Sequence, residues 1–369
     1  MKRRIGILAA LLGCGGALAE TEVYIGTSKS GIYRAMLDEK SGTLSPAEQV
    51  LEVKETGFFT LAMDEEMLFT TVENGVASFR FAEEGLKEVS RQKYPGGQLC
   101  FVALDESEEV LFGADYGKGS VVSFPVAEDG SIQEYAGYLT HEGSSVNQKR
   151  QRKPHAHSFY PVPGSDFAYA LDLGTDEVVI YHFERRDGSI ERVGEVKVPA
   201  GSGPRHGAFG SKGGNFYVLN ELTNTISRFE LSEKGKRLTL RETVSVLPAE
   251  AKQTRMTSSE IVLSEDGKHV YCATRDLDKG GKSVLSHLTV GVEGQLTLEE
   301  GVSARCEIPR NIRLTPGGKF LLVTGRASNA LVMLKVEENG ALKATGAKIN
   351  VPGPTCVKCR KKPTLSSGQ

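Results

Sequence analysis

The 369-residue chain contains no tryptophan, and its 45 basic and 47 acidic side chains leave a formal net charge of −2. That balance gives no electrostatic case for binding nucleic acid. No window outside the extreme N-terminus carries a sustained helical period, which leaves strands as the building material. The N-terminal apolar stretch, Ile5 to Leu12, falls well short of the ~20 residues that a membrane span requires. Cysteine is also scarce. Removal of a leader ending at Ala19 would leave Cys100, Cys272, Cys306, Cys356 and Cys359, an odd number that argues against a full disulfide framework.

That leader is read from three features in order. Lys2-Arg3-Arg4 precedes the apolar stretch, and Ala17-Leu18-Ala19 offers a small-x-small cleavage site before Glu20. Residues 1–19 are therefore expected to be a signal peptide, and the mature chain to be exported to the periplasm or the exterior. Leu11-Leu12-Gly13-Cys14 offers lipoprotein processing at Cys14 as an alternative. The run Lys149-Arg150-Gln151-Arg152-Lys153 reads as a solvated basic loop. Cys100 and Cys272 read as small core residues. Cys356 and Cys359 have the spacing of a metal or redox half-site, but no second Cys/His pair lies nearby, and residues three apart on a strand point to opposite faces.

A repeat is present. Aromatic or aliphatic strand starts at Tyr24, Phe69, Phe112, Tyr169, Tyr217, Tyr271 and Leu322 are separated by roughly 43 to 57 residues. Turns such as Glu265-Asp266-Gly267-Lys268 precede most of them, and a second apolar run such as Val178 to Phe183 follows. Short alternating runs joined by Gly/Asp turns are strands and hairpins. Seven copies of one pattern predict an all-β, seven-bladed β-propeller over residues 20–360, with residues 361–369 as a disordered tail. The first copy begins at Val23-Tyr24-Ile25-Gly26 without the strand that precedes this point elsewhere. Gly353 to Lys358 has the missing pattern, so the C-terminal strand is expected to complete the first blade and remove an open edge.

The frame also locates a site, because residues at one frame position in different blades form a ring around the axis. Twelve residues before the strand starts lie Cys100, His157, Arg205, Ser259 and Arg310. Four residues after them lie Ser28, Glu73, Tyr116, Leu173, Glu221, Arg275 and Arg326. Antiparallel neighbours open both rings on one face, which brings Arg205 near Glu221 with His157, Arg275, Arg310 and Arg326 contributed by adjacent blades. Imidazole can move a proton near neutral pH. Guanidinium can hold an anion and stabilise an oxyanion. Structural readings stand beside these: Arg205 and Glu221 as an ion pair between strands, His157 as a partner of a carbonyl, Arg310 and Asn311 as partners of buried backbone. His155 and His206 read as supporting groups, and Glu73 and Arg326 as solvated loop residues.

Pro154-His155-Ala156-His157-Ser158, Ala170 to Asp176, Gly201-Ser202-Gly203-Pro204-Arg205-His206, Asn220-Glu221-Leu222 and Pro309-Arg310-Asn311 resemble the lactonase-type seven-bladed propeller family. That family includes propeller 6-phosphogluconolactonases and carboxymuconate-lactonizing enzymes. The resemblance implies a metal-independent, cofactor-free hydrolase of lactones. Its catalytic positions fall on His157, Arg205, Glu221 and Arg275, with Arg310, Asn311, His206 and His155 toward the substrate. It implies His157 as general base or as proton donor to the ring oxygen, Arg205 and Arg275 on the anionic group and the oxyanion, and Glu221 as the orienter of Arg205 or His157. An exported chain fits poorly with a phosphorylated lactone formed inside cells, so lactone hydrolysis is implied more firmly than that substrate. The rivals are a non-catalytic propeller that binds protein or glycan, and a calcium-dependent gluconolactonase-type propeller, which would show several carboxylates on a ring that here is mainly arginine.

Overall fold

The computed structural model describes residues 20–82, 85–211, 213–251, 255–278 and 280–361. The signal-peptide reading of residues 1–19, with Cys14, and the tail 362–369 lie outside them. The described residues form seven antiparallel sheets. Six contain four consecutive strands each, the innermost being Phe59–Leu61, Phe101–Leu104, Ala156–Pro161, Pro204–Phe209, Met256–Leu263 and Pro309–Leu314. The remaining sheet, blade 1, is built from both ends of the chain. Its innermost strand is the C-terminal Pro354–Lys361, paired along Glu20–Thr27 with Val23 opposite Cys359 and Ile25 opposite Val357. The ring is thus closed by hydrogen bonds between the first and last strands, as the sequence frame predicts.

The seven frame residues all lie in second strands, and each is at most 3% exposed. For three of them the aromatic side chain has a physical cause beyond filling the core. The hydroxyls of Tyr169, Tyr217 and Tyr271 each donate to the carbonyl of a glycine in an outer turn of the next blade, Gly235, Gly294 and Gly340 respectively. The ring buries apolar area between blades, at roughly 1.5–3 kcal/mol per large side chain, while the phenol oxygen finds its partner at the far edge of that interface. Gly235, Gly294 and Gly340 all have positive φ, a conformation glycine adopts without a Cβ penalty. Fourth strands such as Leu296–Ser303 face solvent and alternate exposed and half-buried residues, which is the polar segment of the repeat.

Cys356 packs in the cluster shared with blade 2 and Cys359 against the one shared with blade 7. The two thiols therefore point to opposite sides of one strand, and all five described cysteines are free. Lys361 still pairs with Thr21, so the closing strand runs one residue further than expected.

A candidate active site at the mouth of the channel

The innermost strands share a local irregularity. In blades 1, 4, 5, 6 and 7 the register between first and second strands slips near one end of the channel. The residues left out of the ladder there are Thr355, His157, Arg205, Ser259 and the Arg310-Asn311 pair. A bulge of this kind bends the strand and re-aims the side chain it carries, so that two consecutive residues can both serve the interior. Arg205 and His206 show the result: adjacent in sequence, both are at most 2% exposed and both reach the channel mouth.

Glu221 follows the strand Asn215–Asn220, and its backbone N–H donates to the Gly203 carbonyl at 2.7 Å. Its carboxylate collects three guanidiniums. Arg150 Nη2 donates to Oε1 at 2.7 Å. Arg205 Nε and Arg275 Nη2 lie 3.0 and 3.1 Å from Oε2. The Arg205 Nε–H is not aimed at that oxygen, so this contact is chiefly Coulombic, and Arg205 Nη1 donates instead to the Ser259 carbonyl. Arg275 is fixed by the carbonyls of Ser258 at 3.0 Å and Thr257 at 3.3 Å. Burial alone would raise the Glu221 carboxyl, but Arg275, Arg205 and Arg150 together hold it down at about 2. Arg275 is itself pushed below the usual guanidinium range, because burial and the neighbouring Arg205 outweigh its share of Glu221. One carboxylate cannot neutralise so many cations.

Arg310 is the extreme case. Among the described residues no carboxylate or hydrogen-bond acceptor engages its guanidinium, and burial, Arg205 and Arg275 hold it well below its ordinary value. Arg150, Arg205, Arg275, Arg310 and Arg326 line the mouth against Glu55, Glu221 and Glu260, an excess of positive charge in a chain whose net charge is −2.

Two histidines complete the site. His157 is 4% exposed, its Nδ1 has no partner, and its ring meets the edges of His206 at 5.0 Å and Tyr116 at 5.5 Å. Burial, Arg205, His206 and Arg310 all favour its neutral form and push its pKa well below the usual imidazole value. His206 Nδ1 lies 2.7 Å from Glu260 Oε1 while Nε2 is unpartnered. Burial dominates there too, holding it at about 4 despite Glu260, so near neutral pH the ring donates through Nδ1 and leaves Nε2 as an acceptor. Asn311 Nδ2 donates to the other Glu260 oxygen, and Asn311 Oδ1 accepts from Val357 N at 3.0 Å. Phe58 and Phe101 pack edge-on against His206 and floor the channel.

Above this floor lies a recess of two lobes. The larger, about 380 Å³, is lined by Tyr116, Arg150, His157, Glu221, Arg275 and Leu277 among others. The smaller, about 200 Å³, is bounded by Arg205, His206, Glu260 and Asn311 on one side and by Ser28, Thr355 and Arg326 on the other. Cys100 and Arg310 line both. Their combined size is that of a small-molecule site.

The structure therefore brings His157, Arg205, Glu221, Arg275, Arg310, Asn311 and His206 to one recess. His155 lies behind it, stacked on Tyr116 at 4.3 Å with Nδ1 2.8 Å from the Tyr116 carbonyl oxygen. Sequence reasoning missed two participants. Arg150, read as part of a solvated loop, turns inward to Glu221 and Tyr116. Glu260 follows a ring residue, Ser259, as His206 follows Arg205 and Asn311 follows Arg310. The positions one step after the ring were the signal that would have found it.

Comparison with known proteins gives a consistent result. The family model described as "Lactonase, 7-bladed beta-propeller" matches residues 22–359. The chain is 28% identical over 346 residues to a 6-phosphogluconolactonase of Bacillus subtilis, covering 91% of this chain and 97% of the relative. It is 26% identical over 343 residues to a 6-phosphogluconolactonase of Formosa agariphila, covering 89% and 95%. A solved structure, the periplasmic gluconolactonase of Pseudomonas aeruginosa, superposes with a TM-score of 0.86 at 26% identity over 92% of this chain and 99% of that one.

Proposed function

Because the chain belongs to the lactonase-type seven-bladed β-propeller family, we propose that it hydrolyses a sugar lactone in the recess at the channel mouth, as a 6-phosphogluconolactonase-like ester hydrolase that uses no metal. The observation that carries this reading is the pairing of an imidazole held neutral, His157 on the wall of the recess, with guanidiniums that outnumber the carboxylates around them.

The chemistry follows from those two features. A water in the recess gives a proton to the His157 imidazole as its oxygen bonds to the lactone carbonyl carbon. The carbonyl oxygen takes the electron pair, and Arg275 and Arg310 stabilise the resulting oxyanion. Donors set in advance toward developing charge contribute roughly 10²–10³ each in rate, and a positioned base roughly 10²–10⁴. Collapse of the tetrahedral species breaks the bond from the acyl carbon to the ring oxygen, and the proton held by His157 passes to that oxygen. The product is the open-chain hydroxy acid. Glu221, ionised at every working pH, is a poor base; it holds Arg150, Arg205 and Arg275 in place. The export expected from residues 1–19 places this reaction outside the cytoplasm and favours an unphosphorylated sugar lactone.

The test is hydrolysis of a panel of sugar lactones, phosphorylated and not, by mature protein with and without EDTA, alongside His157→Gln. Wild type should open at least one lactone equally well in EDTA, and the variant should lose roughly 10²-fold or more in kcat. No turnover of any lactone would leave a binding propeller; loss in EDTA would indicate the calcium-dependent class; full activity in His157→Gln would remove the base from that residue.

A further inference from the structure

Asp176 lies outside both lobes of the recess and touches none of the residues proposed to act on the lactone. It is 2% exposed and adopts a left-handed backbone with φ of 59°, which asparagine and aspartate tolerate better than most residues. Its carboxylate accepts four hydrogen bonds. Ser145 Oγ at 2.5 Å and Gly201 N at 2.6 Å reach Oδ2, while Gln151 Nε2 at 2.8 Å and Gly203 N at 2.6 Å reach Oδ1.

Those donors belong to two loops that enter the site from different blades. Ser145 and Gln151 bracket the segment between blades 3 and 4 that carries Arg150. Gly201 and Gly203 belong to the connection between blades 4 and 5 that leads directly into Arg205 in the strand Pro204–Phe209. Gly203 goes further: its carbonyl accepts the Glu221 N–H at 2.7 Å, and with φ of +66° a Cβ there would come within 2.7 Å of Leu222 Cγ. One buried carboxylate is therefore bonded, within one or two residues, to the backbone supports of Arg150, Arg205 and Glu221.

We infer that Asp176 is a positioning residue, which couples the Arg150 loop to the Gly201–Arg205 loop so that both guanidiniums meet Glu221 together. Its carboxylate form is what the role needs, since only an acceptor on both oxygens serves four donors. Asparagine keeps the size but turns an N–H₂ toward two N–H or O–H donors. Arg150 depends on this most: it is the member of the cluster on an irregular loop, its side chain is 34% exposed, and no strand ladder holds it. The kinetic part of this inference rests on the proposed lactonase reading; the coupling of the loops does not.

The experiment combines hydrogen exchange, read by mass spectrometry, with a double-mutant cycle. In Asp176→Asn, amides of residues 143–153 and 200–203 should exchange roughly 10- to 100-fold faster together, as expected for losing bonds to a charged acceptor, while the innermost strands keep wild-type protection. In kinetics, Asp176→Asn and Arg150→Met should each lower kcat/KM, and their effects should not multiply, because the first acts through the second. Should Asp176→Asn fail to fold, Ser145→Ala removes one bond to Asp176 on the Arg150 side and nothing else, and should loosen residues 143–153 alone, again without adding to Arg150→Met. Unchanged exchange in both loops, faster exchange spread over all blades, or multiplicative effects on kcat/KM would each overturn the inference. If wild type opens no lactone, the proposed reaction fails while the exchange data still decide whether Asp176 couples the loops.

Discussion

Glu221→Gln isolates the electrostatic design of the site. The carboxyl titrates at about 2 in the folded chain against 4.5 for a free glutamate. At ~1.4 kcal/mol per pH unit this difference contributes about 3 kcal/mol to folding at neutral pH. The group is buried, so solvent screening takes little from that figure, and removing one member of a buried ion cluster typically costs about 3–5 kcal/mol. The sign follows from a depressed pKa: the contribution is complete above about pH 4.5 and is lost as pH falls toward 2. At about 2.1 cal/mol/K of unfolding entropy per residue, a propeller of this length loses roughly 1.4 °C per kcal/mol. Thermal unfolding at pH 7 should therefore show Glu221→Gln melting about 4–5 °C below wild type, with the gap narrowing steadily between pH 4.5 and pH 3. Melting points that agree within a degree at pH 7, or a gap independent of pH, would refute the shared-carboxylate account.

Two further outcomes follow from the same structure. Because His157 is held neutral well below the ordinary imidazole range, enzyme-catalysed lactone opening, corrected for the spontaneous rate, should stay level through pH 6.5 and fall only at more acidic pH; a half-maximal rate between pH 6.5 and 7 would contradict this. Ending the chain at Gly353 deletes the innermost strand of blade 1 and bares the edge of Glu20–Thr27, so size-exclusion chromatography should show aggregated or unfolded protein; a monodisperse, fully folded truncation would refute closure by the last strand.

The fold was legible because a propeller repeats its signal. Tyr169, Tyr217 and Tyr271 recur at one point of the frame for a reason that recurs, a hydroxyl that must reach the next blade's turn. Much of the site was legible for the same reason, since Glu221 and Arg275 sit at one step of the repeat and His157, Arg205 and Arg310 at another. Less visible was the slip of register. Strict alternation assigns Arg205 and His206, or Ser259 and Glu260, to opposite faces of a strand, and only the bulge turns both members to the interior. Arg150 was hidden differently: its loop belongs to no repeat, and a run of five residues with four cations looks solvated until a buried carboxylate elsewhere is known to need them.

The closing strand has one more connection. Val357 N donates to Asn311, Asn311 donates to Glu260, and Glu260 orients His206. The floor of the recess is thus wired to a strand that pairs with residues more than three hundred positions earlier in the chain. A nascent or unlatched ring has its blades but not this floor. Completion of the recess therefore waits for residues 20–27 and 354–361 to pair, and the appearance of turnover during refolding would time the moment when they meet.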